Sequence, residues 1–248
     1  MKGIITILIF LYSANALAQK DASPDNARID FSKFRVHKIT LHKPLTTFSA
    51  GRMLSDIIVE DNRFDTSTLG FMHKGSVDMK SLIKFKNGFS NEIRNYLVNS
   101  IDRPGSATST TSYKLICFIK KLWLTDEIYE KEGKKNLPAS MQSGIIFRAE
   151  YWVEKENVYI PLYRFDTTIT GDKNIYRSGD NYIEEALMFS LSKLSSFTEN
   201  KIEQIRSKYS RSEIEQYNKR RFDLPILTDT LRRGIYITFE EFKNNQPS

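Results

Sequence analysis

The spacing of apolar residues along this chain changes several times, and each change marks an element. In residues 34–43, His37, Ile39 and Leu41 alternate with Val36, Lys38 and Thr40, the two-residue period of a strand. Residues 54–60 hold Leu54, Ile57, Ile58 and Val59, a β-branched-rich run that predicts a second strand. Residues 61–75 carry Asn62, Asp65, Ser67, Gly70 and Gly75 and read as a loop. The period then becomes three and four. Leu82, Phe85, Phe89, Ile93, Tyr96 and Leu97 predict one apolar helix face, weakened at Gly88 by about 1 kcal/mol relative to Ala.

Residues 113–124 are almost continuously apolar, which suits a strand covered on both faces. Residues 126–141 are charged, hold Gly133 and Pro138, and read as a loop. Ile145, Phe147, Ala149, Tyr151 and Val153 then alternate with Ile146, Arg148, Glu150, Trp152 and Glu154, the clearest strand in the chain. A turn at residues 154–157 leads into another alternating strand, 158–168. Ile183, Leu187, Leu191 and Leu194 stripe a second helix, with Ser178, Asp180 and Asn181 as candidate caps. The expected fold is α/β of the α+β type: a mixed or antiparallel sheet of about five strands with two packed helices, over residues 31–198. Residues 199–248 form a basic, partly helical C-terminal extension. In it, residues 212–215 and 238–241 have the form of capping boxes.

The first thirty residues follow another logic. Lys2, an apolar run over residues 4–12 and the small–x–small Ala16-Leu17-Ala18 make a secretory signal peptide of residues 1–18. Cleavage is expected between Ala18 and Gln19, and residues 19–30 read as a flexible leader. A membrane span needs roughly 20 apolar residues, and Ser13 and Asn15 interrupt this run before that length. Gln19 is no acylation point, so the expected product is exported to the periplasm or beyond without lipid. No later stretch is apolar enough to span a membrane after cleavage.

Composition narrows the partners. The formal net charge is +7, which suits an envelope protein or an anionic envelope component as partner, or reads simply as a charged surface that keeps the domain in solution. Export argues against nucleic acid. Cys117 is the one cysteine, so an intramolecular disulfide is excluded, and its apolar neighbours predict a buried hydrophobe. His37, His42 and His73 lack metal-ligand spacing. No metal and no cofactor is expected.

Two constellations could carry chemistry. Glu60, Asp61 and Asp65 cluster around Arg63 where a strand enters a loop. Held roughly 5–10 Å apart, such carboxylates could serve a secreted hydrolase. Arg63 could equally pair with them and fix the loop. Asp61, Arg63 and Asp65 are also the candidate binding residues. In the C-terminal extension, Tyr209, Tyr217 and Phe222 interleave with Lys and Arg. That pattern suits a peripheral membrane surface, or a helix with a solvated basic face and packed aromatics.

Two resemblances add to this. The segment Asp61-Asn62-Arg63-Phe64-Asp65 followed by Gly70 resembles the D-x-R-x-D…G segment of bacterial envelope accessory lipoproteins. The order that follows, through a helix with Ile183, Ala186, Leu187 and Leu191, is similar to the small α/β fold of transport-auxiliary and lipopolysaccharide-assembly-type lipoproteins, over residues 34–197. The resemblance implies an envelope accessory or binding role. Those proteins are usually lipidated at an N-terminal Cys, where this chain has Gln19. Residues 233–248, from Arg233-Gly234-Ile235-Tyr236 to Asn245-Gln246-Pro247-Ser248, resemble an element of secreted, uncharacterised proteins of Gram-negative bacteria, in which more chain often follows. The expectation is a non-catalytic periplasmic accessory or binding module of the cell envelope. Intact-mass analysis of exported material is expected to show a mature chain starting at Gln19; a mass that retains Met1 would refute the cleavage.

Overall fold

The computed structural model describes residues 34–48, 53–73, 80–101, 113–129 and 140–247. The expected signal peptide, leader and Ala18/Gln19 cleavage junction lie outside them. The chain divides into two units, Met1–Phe34 and Arg35–Ser248, and the second holds the fold. In chain order its elements are β1 (Arg35–Ile39), β2 (Leu54–Asp61), β3 (Gly70–His73), β4 (Lys80–Phe85), α1 (Phe89–Ser100), β5 (Tyr113–Tyr129), β6 (Ser140–Lys155) and β7 (Val158–Gly171). Then follow α2 (Ile175–Ser192), α3 (Glu199–Glu203), α4 (Arg211–Arg220), α5 (Pro225–Thr228) and α6 (Phe239–Lys243).

The architecture is α+β, with one mixed sheet in the order β1-β4-β3-β5-β6-β7 and β2 also paired to β5. β5 is 17 residues long, and that length organises the sheet. One of its edges holds β2 along Tyr113–Ile119 and β3 at Leu124 and Thr125, both parallel. The other edge holds β6 antiparallel. β6 turns into β7 through Glu156 and Asn157, whose φ of 55° and 64° match a two-residue hairpin turn that twists with the strands.

Among the described residues, seven strands replace the expected five. The two extra ones, β3 and β4, fall in stretches read as loop and as helix. Leu82 and Phe85 fit a helical spacing, but Ser81, Leu82 and Ile83 are all buried in succession, so both faces of β4 are covered and period carries no information. The chain leaves this strand through Gly88 at φ 87°, and the helix starts only at Phe89. Gly70 in β3 has φ 134°, and an added Cβ would lie 2.0 Å from the Leu124 carbonyl oxygen. A bare backbone is therefore required where β3 meets β5. Both ends of the stretch read as a loop over 126–141 are strand, because β5 runs to Tyr129 and β6 starts at Ser140; residues 130–139 lie outside the described residues. α2 begins at Ile175 under an Asn174 cap, three residues before Ser178.

A β-bulge at Lys120 decides what each face of β5 presents. Ile119 pairs with Ala149 and Lys121 with Arg148, leaving Lys120 as the extra residue. Before it, Leu115, Cys117 and Ile119 face the helix side; after it, Leu122 and Leu124 do. These meet Ile93 and Leu97 of α1, Ile183, Leu187 and Leu191 of α2, and the inward row Ile145, Phe147, Ala149, Tyr151 and Val153 of β6 in one core. Cys117 has no exposed surface, and burial pushes its thiol up to about 12. Asp126 shares this face and ties helix to sheet. Its carboxylate accepts the Ile175 N–H at 3.1 Å and the Ser143 hydroxyl at 2.5 Å.

The C-terminal string closes on itself. Asn245 is 1% exposed; its amide donates to the Thr230 carbonyl, and its oxygen accepts from Arg232 N–H and the Tyr236 hydroxyl. Thr238 and Glu241 form the expected capping box on α6. Asp126→Ala is expected to lower stability by about 1–3 kcal/mol, read as a fall in the urea midpoint with an unchanged slope, because two buried donors lose their acceptor.

Candidate functional site

The predicted carboxylates serve the framework. Arg63 donates to both oxygens of Asp61 at 2.8 Å, and to the Thr68 carbonyl at 2.7 Å. Its guanidinium lies 4.0 Å from the Phe89 ring centroid. Asp65 accepts from the Ser67 backbone and hydroxyl. Glu60 takes a bidentate pair with Arg211 of α4, at 2.6 and 3.0 Å. So Asp61 and Arg63 come together and fix the loop, Asp65 caps a turn, and Glu60 binds a distant helix. Each carboxylate already holds a partner. A cleft of about 250 Å³ lies beside Arg63 and Lys84, but neither Asp61, Asp65 nor Glu60 lines it. Among the described residues no group of three His, Cys, Asp or Glu is placed to hold a metal.

The C-terminal extension reaches the sheet face opposite α1 and α2. Ile214 of α4 is buried against Ile116 and Phe118, flanked by Ile58, Trp152 and Tyr159. One backbone pair, Tyr159 with Tyr209, exchanges two hydrogen bonds of 2.9 Å and sets the entry to α4. Ser210 caps α4 with Glu213 as the reciprocal acid; the capping box is centred two residues before Ser212. Ser210's backbone N–H and hydroxyl hold the Glu213 carboxyl below the usual carboxylate range.

Beneath α4 lies a buried polar cluster. The Lys120 side chain is 1% exposed and its ammonium sits 3.2 Å from the Glu150 carboxylate. It also donates to the Asn218 amide oxygen, and the Tyr217 hydroxyl donates to Glu150 at 3.1 Å. Burial lowers the Lys120 pKa, against the raising effect of Glu150. Hydrogen bonds from Arg211 to Glu60 and Glu215 push that guanidinium further up.

Between α4 and the sheet this docking leaves a groove of about 530 Å³, within the usual span of ligand pockets, about 300–1,000 Å³. Trp152, Pro161, Tyr209, Ile214 and Tyr217 supply its apolar walls. The Trp152 and Tyr209 rings meet edge-on at 5.4 Å and 72°. Tyr217 stays 47% exposed and Tyr209 38%, so both present ring surface. Glu213 lies at the rim with its carboxylate committed to the cap. The Arg220 side chain, also at the rim, makes no hydrogen bond or ion pair among the described residues. The groove can hold a flat apolar group and offer one cation beside it.

Reading the sequence alone missed Trp152, Pro161 and Ile214. One signal was visible: Trp152 occupies the outward row of β6 between Glu150 and Glu154, a position that calls for a polar residue. Tyr209 and Tyr217, which interleave with Lys and Arg in the extension, both reach the sheet: the Tyr209 ring meets Trp152 and the Tyr217 hydroxyl donates to Glu150. Phe222 meets Phe64 at 5.7 Å.

Removing Glu150 leaves a buried ammonium without its counter-ion. Glu150→Ala is expected to cost about 3–5 kcal/mol, while Lys120→Met with Glu150→Leu recovers most of it; urea unfolding compares the three. The pH sign follows from the lowered Lys120 pKa. The unfolded chain binds more protons in the window just below 10.5, so this group adds stability as pH rises through its folded value. Lys120→Met/Glu150→Leu is expected to lose that rise.

No family model matches the chain, and no curated protein matches it. Among solved structures, it is similar to the crystal structure of an uncharacterised protein at 10% identity and a TM-score of 0.39, over 66% of this chain and 97% of that one.

Proposed function

We propose that this protein is a non-catalytic binding module of the bacterial cell envelope, exported by its signal peptide, and that it holds an extended peptide segment of a partner protein in the Trp152–Tyr209–Tyr217 groove. The groove itself carries this reading. Aromatic-lined grooves with a proline wall recognise extended, proline- or aromatic-bearing peptides, because flat side chains bind ring faces at low entropic cost. Free Arg220 at the rim complements an acidic residue in such a peptide. The predicted carboxylates support the same reading indirectly, since their ion pairs and caps leave no acid–base pair across a cleft. Among the described residues no helix is long and apolar enough to cross a membrane, and the groove, not a span, is the proposed point of contact.

The test uses a panel of proline-containing peptides with and without an acidic residue. Saturable change in Trp152 emission is expected in a Trp123→Phe background, favouring acidic members. Tyr217→Ala is expected to weaken binding about tenfold, equivalent to about 1.4 kcal/mol, and Arg220→Glu to reverse the acidic preference. Binding that ignores Tyr217→Ala, or no saturable binding by any peptide, would overturn the proposal.

A further inference from the structure

We propose that β7 pairs antiparallel with β7 of a second copy about a two-fold axis at Phe165, so that the protein is a homodimer with one continuous sheet.

β7 ends the sheet order. Its outer edge is hydrogen-bonded at Tyr159, to Tyr209; from Tyr163 to Gly171 that edge carries no hydrogen bond among the described residues. An open strand edge is a template for another strand, and proteins blunt it with proline, bulges or charge. Here Pro161 and the extra residue Leu162, between the pairs Trp152–Pro161 and Tyr151–Tyr163, blunt only its beginning. The stretch beyond them is regular.

Charge selects the partner and the register. On the face away from α2, Arg164 stands opposite Glu150, and Asp166 opposite Arg148. Lys120 pairs with Glu150 at 3.2 Å and Arg148 with Asp166 at 2.6 Å. One row thus runs plus, minus, plus and ends at the edge on Arg164. The next starts with two like charges, Lys121 opposite Arg148, and ends at the edge on Asp166. Antiparallel pairing about Phe165 sets Arg164 against Asp166 of the second copy, twice by symmetry, so each edge charge meets its opposite. The two adjacent registers that keep the same faces together set Arg164 against Arg164, or Asp166 against Asp166. Like charges directly opposite are destabilising, so this edge is complementary to itself in one register.

The helix side adds apolar surface. Lys193 lies 5.1 Å from the Phe165 ring centroid, and the Tyr182 hydroxyl stands against Gly171. Both sit on the β7 flank of α2. Helical spacing puts Phe189 on the same stripe, seven residues from Tyr182 and four from Lys193. Phe189 is 52% exposed. A second copy at the edge would cover it and bring the two Phe165 rings together at the axis.

Sedimentation equilibrium of the full mature chain is expected to give twice the monomer mass at micromolar concentration. Arg164→Asp and Asp166→Arg should each weaken the dimer about tenfold or more, and the double variant R164D/D166R should restore it. Thermal melts and circular dichroism of each variant distinguish lost pairing from lost fold. A wild-type monomer at about 100 μM, well above the micromolar range of specific interfaces, would overturn the proposal, as would a dimer indifferent to both single reversals or a double variant that stays monomeric while folded.

Discussion

Everything in this fold turns on one extra residue in its longest strand. The bulge at Lys120 lets β5 switch which side chains face the helices, from Leu115, Cys117 and Ile119 to Leu122, Leu124 and Asp126. Without the switch, the second half of β5 would turn its apolar row away from the core. With it, a lysine enters the opposite face, where an ammonium cannot remain bare. Glu150, Asn218 and Tyr217 answer that requirement, and two of the three come from α4. The bulge that completes the core thereby recruits the C-terminal extension to the far side of the sheet.

The groove is a by-product of that recruitment. α4 is held at one end by Arg211 on Glu60 and along its length by Ile214 and Asn218. Between these anchors, Trp152 and Pro161 of the sheet and Tyr209 and Tyr217 of the extension come together without filling the space. A buried ion pair gives little net stability against apolar residues of equal volume. Its value here is positional, because the Lys120–Glu150 pair fixes Tyr217 through the carboxylate that Tyr217 also bonds.

How much of this the sequence disclosed depends on burial. Strands whose two rows differ in polarity were legible: β6 alternates cleanly, β7 follows it, and the Glu156-Asn157 turn sits where the alternation breaks. β4 was misread because both faces are covered, so Leu82 and Phe85 matched a helical period by coincidence. β3 is four residues long, too short for a period to show. The long apolar run of β5 was read rightly as covered on both faces, but what covers the second face is residues about a hundred positions away, which no local pattern encodes. The Asp61–Arg63 pairing was one of two readings the residues allowed, and Arg63 does hold both oxygens of Asp61. The groove escaped notice because it joins β6, β7 and α4, and only Trp152 in a polar row hinted at it.

Groove and open edge share a strand, and this links the two proposed surfaces. Pro161 forms a wall of the groove and also marks where the β7 edge becomes regular. Tyr209 occupies the edge at Tyr159 and lines the same groove. The extension therefore does two jobs with one contact: it closes the first part of the edge and builds the pocket there. What it leaves open begins at Tyr163. Leu162 is extra in the register, so Pro161 stands three ladder steps from the proposed axis at Phe165, about 10 Å at strand rise. Two copies joined there carry their grooves on the same face of the shared sheet, roughly 20 Å apart along the strands by that rise. Paired sites at that separation raise the local concentration of a partner that presents two segments. In that arrangement the edge strand sets the spacing and the groove sets the chemistry.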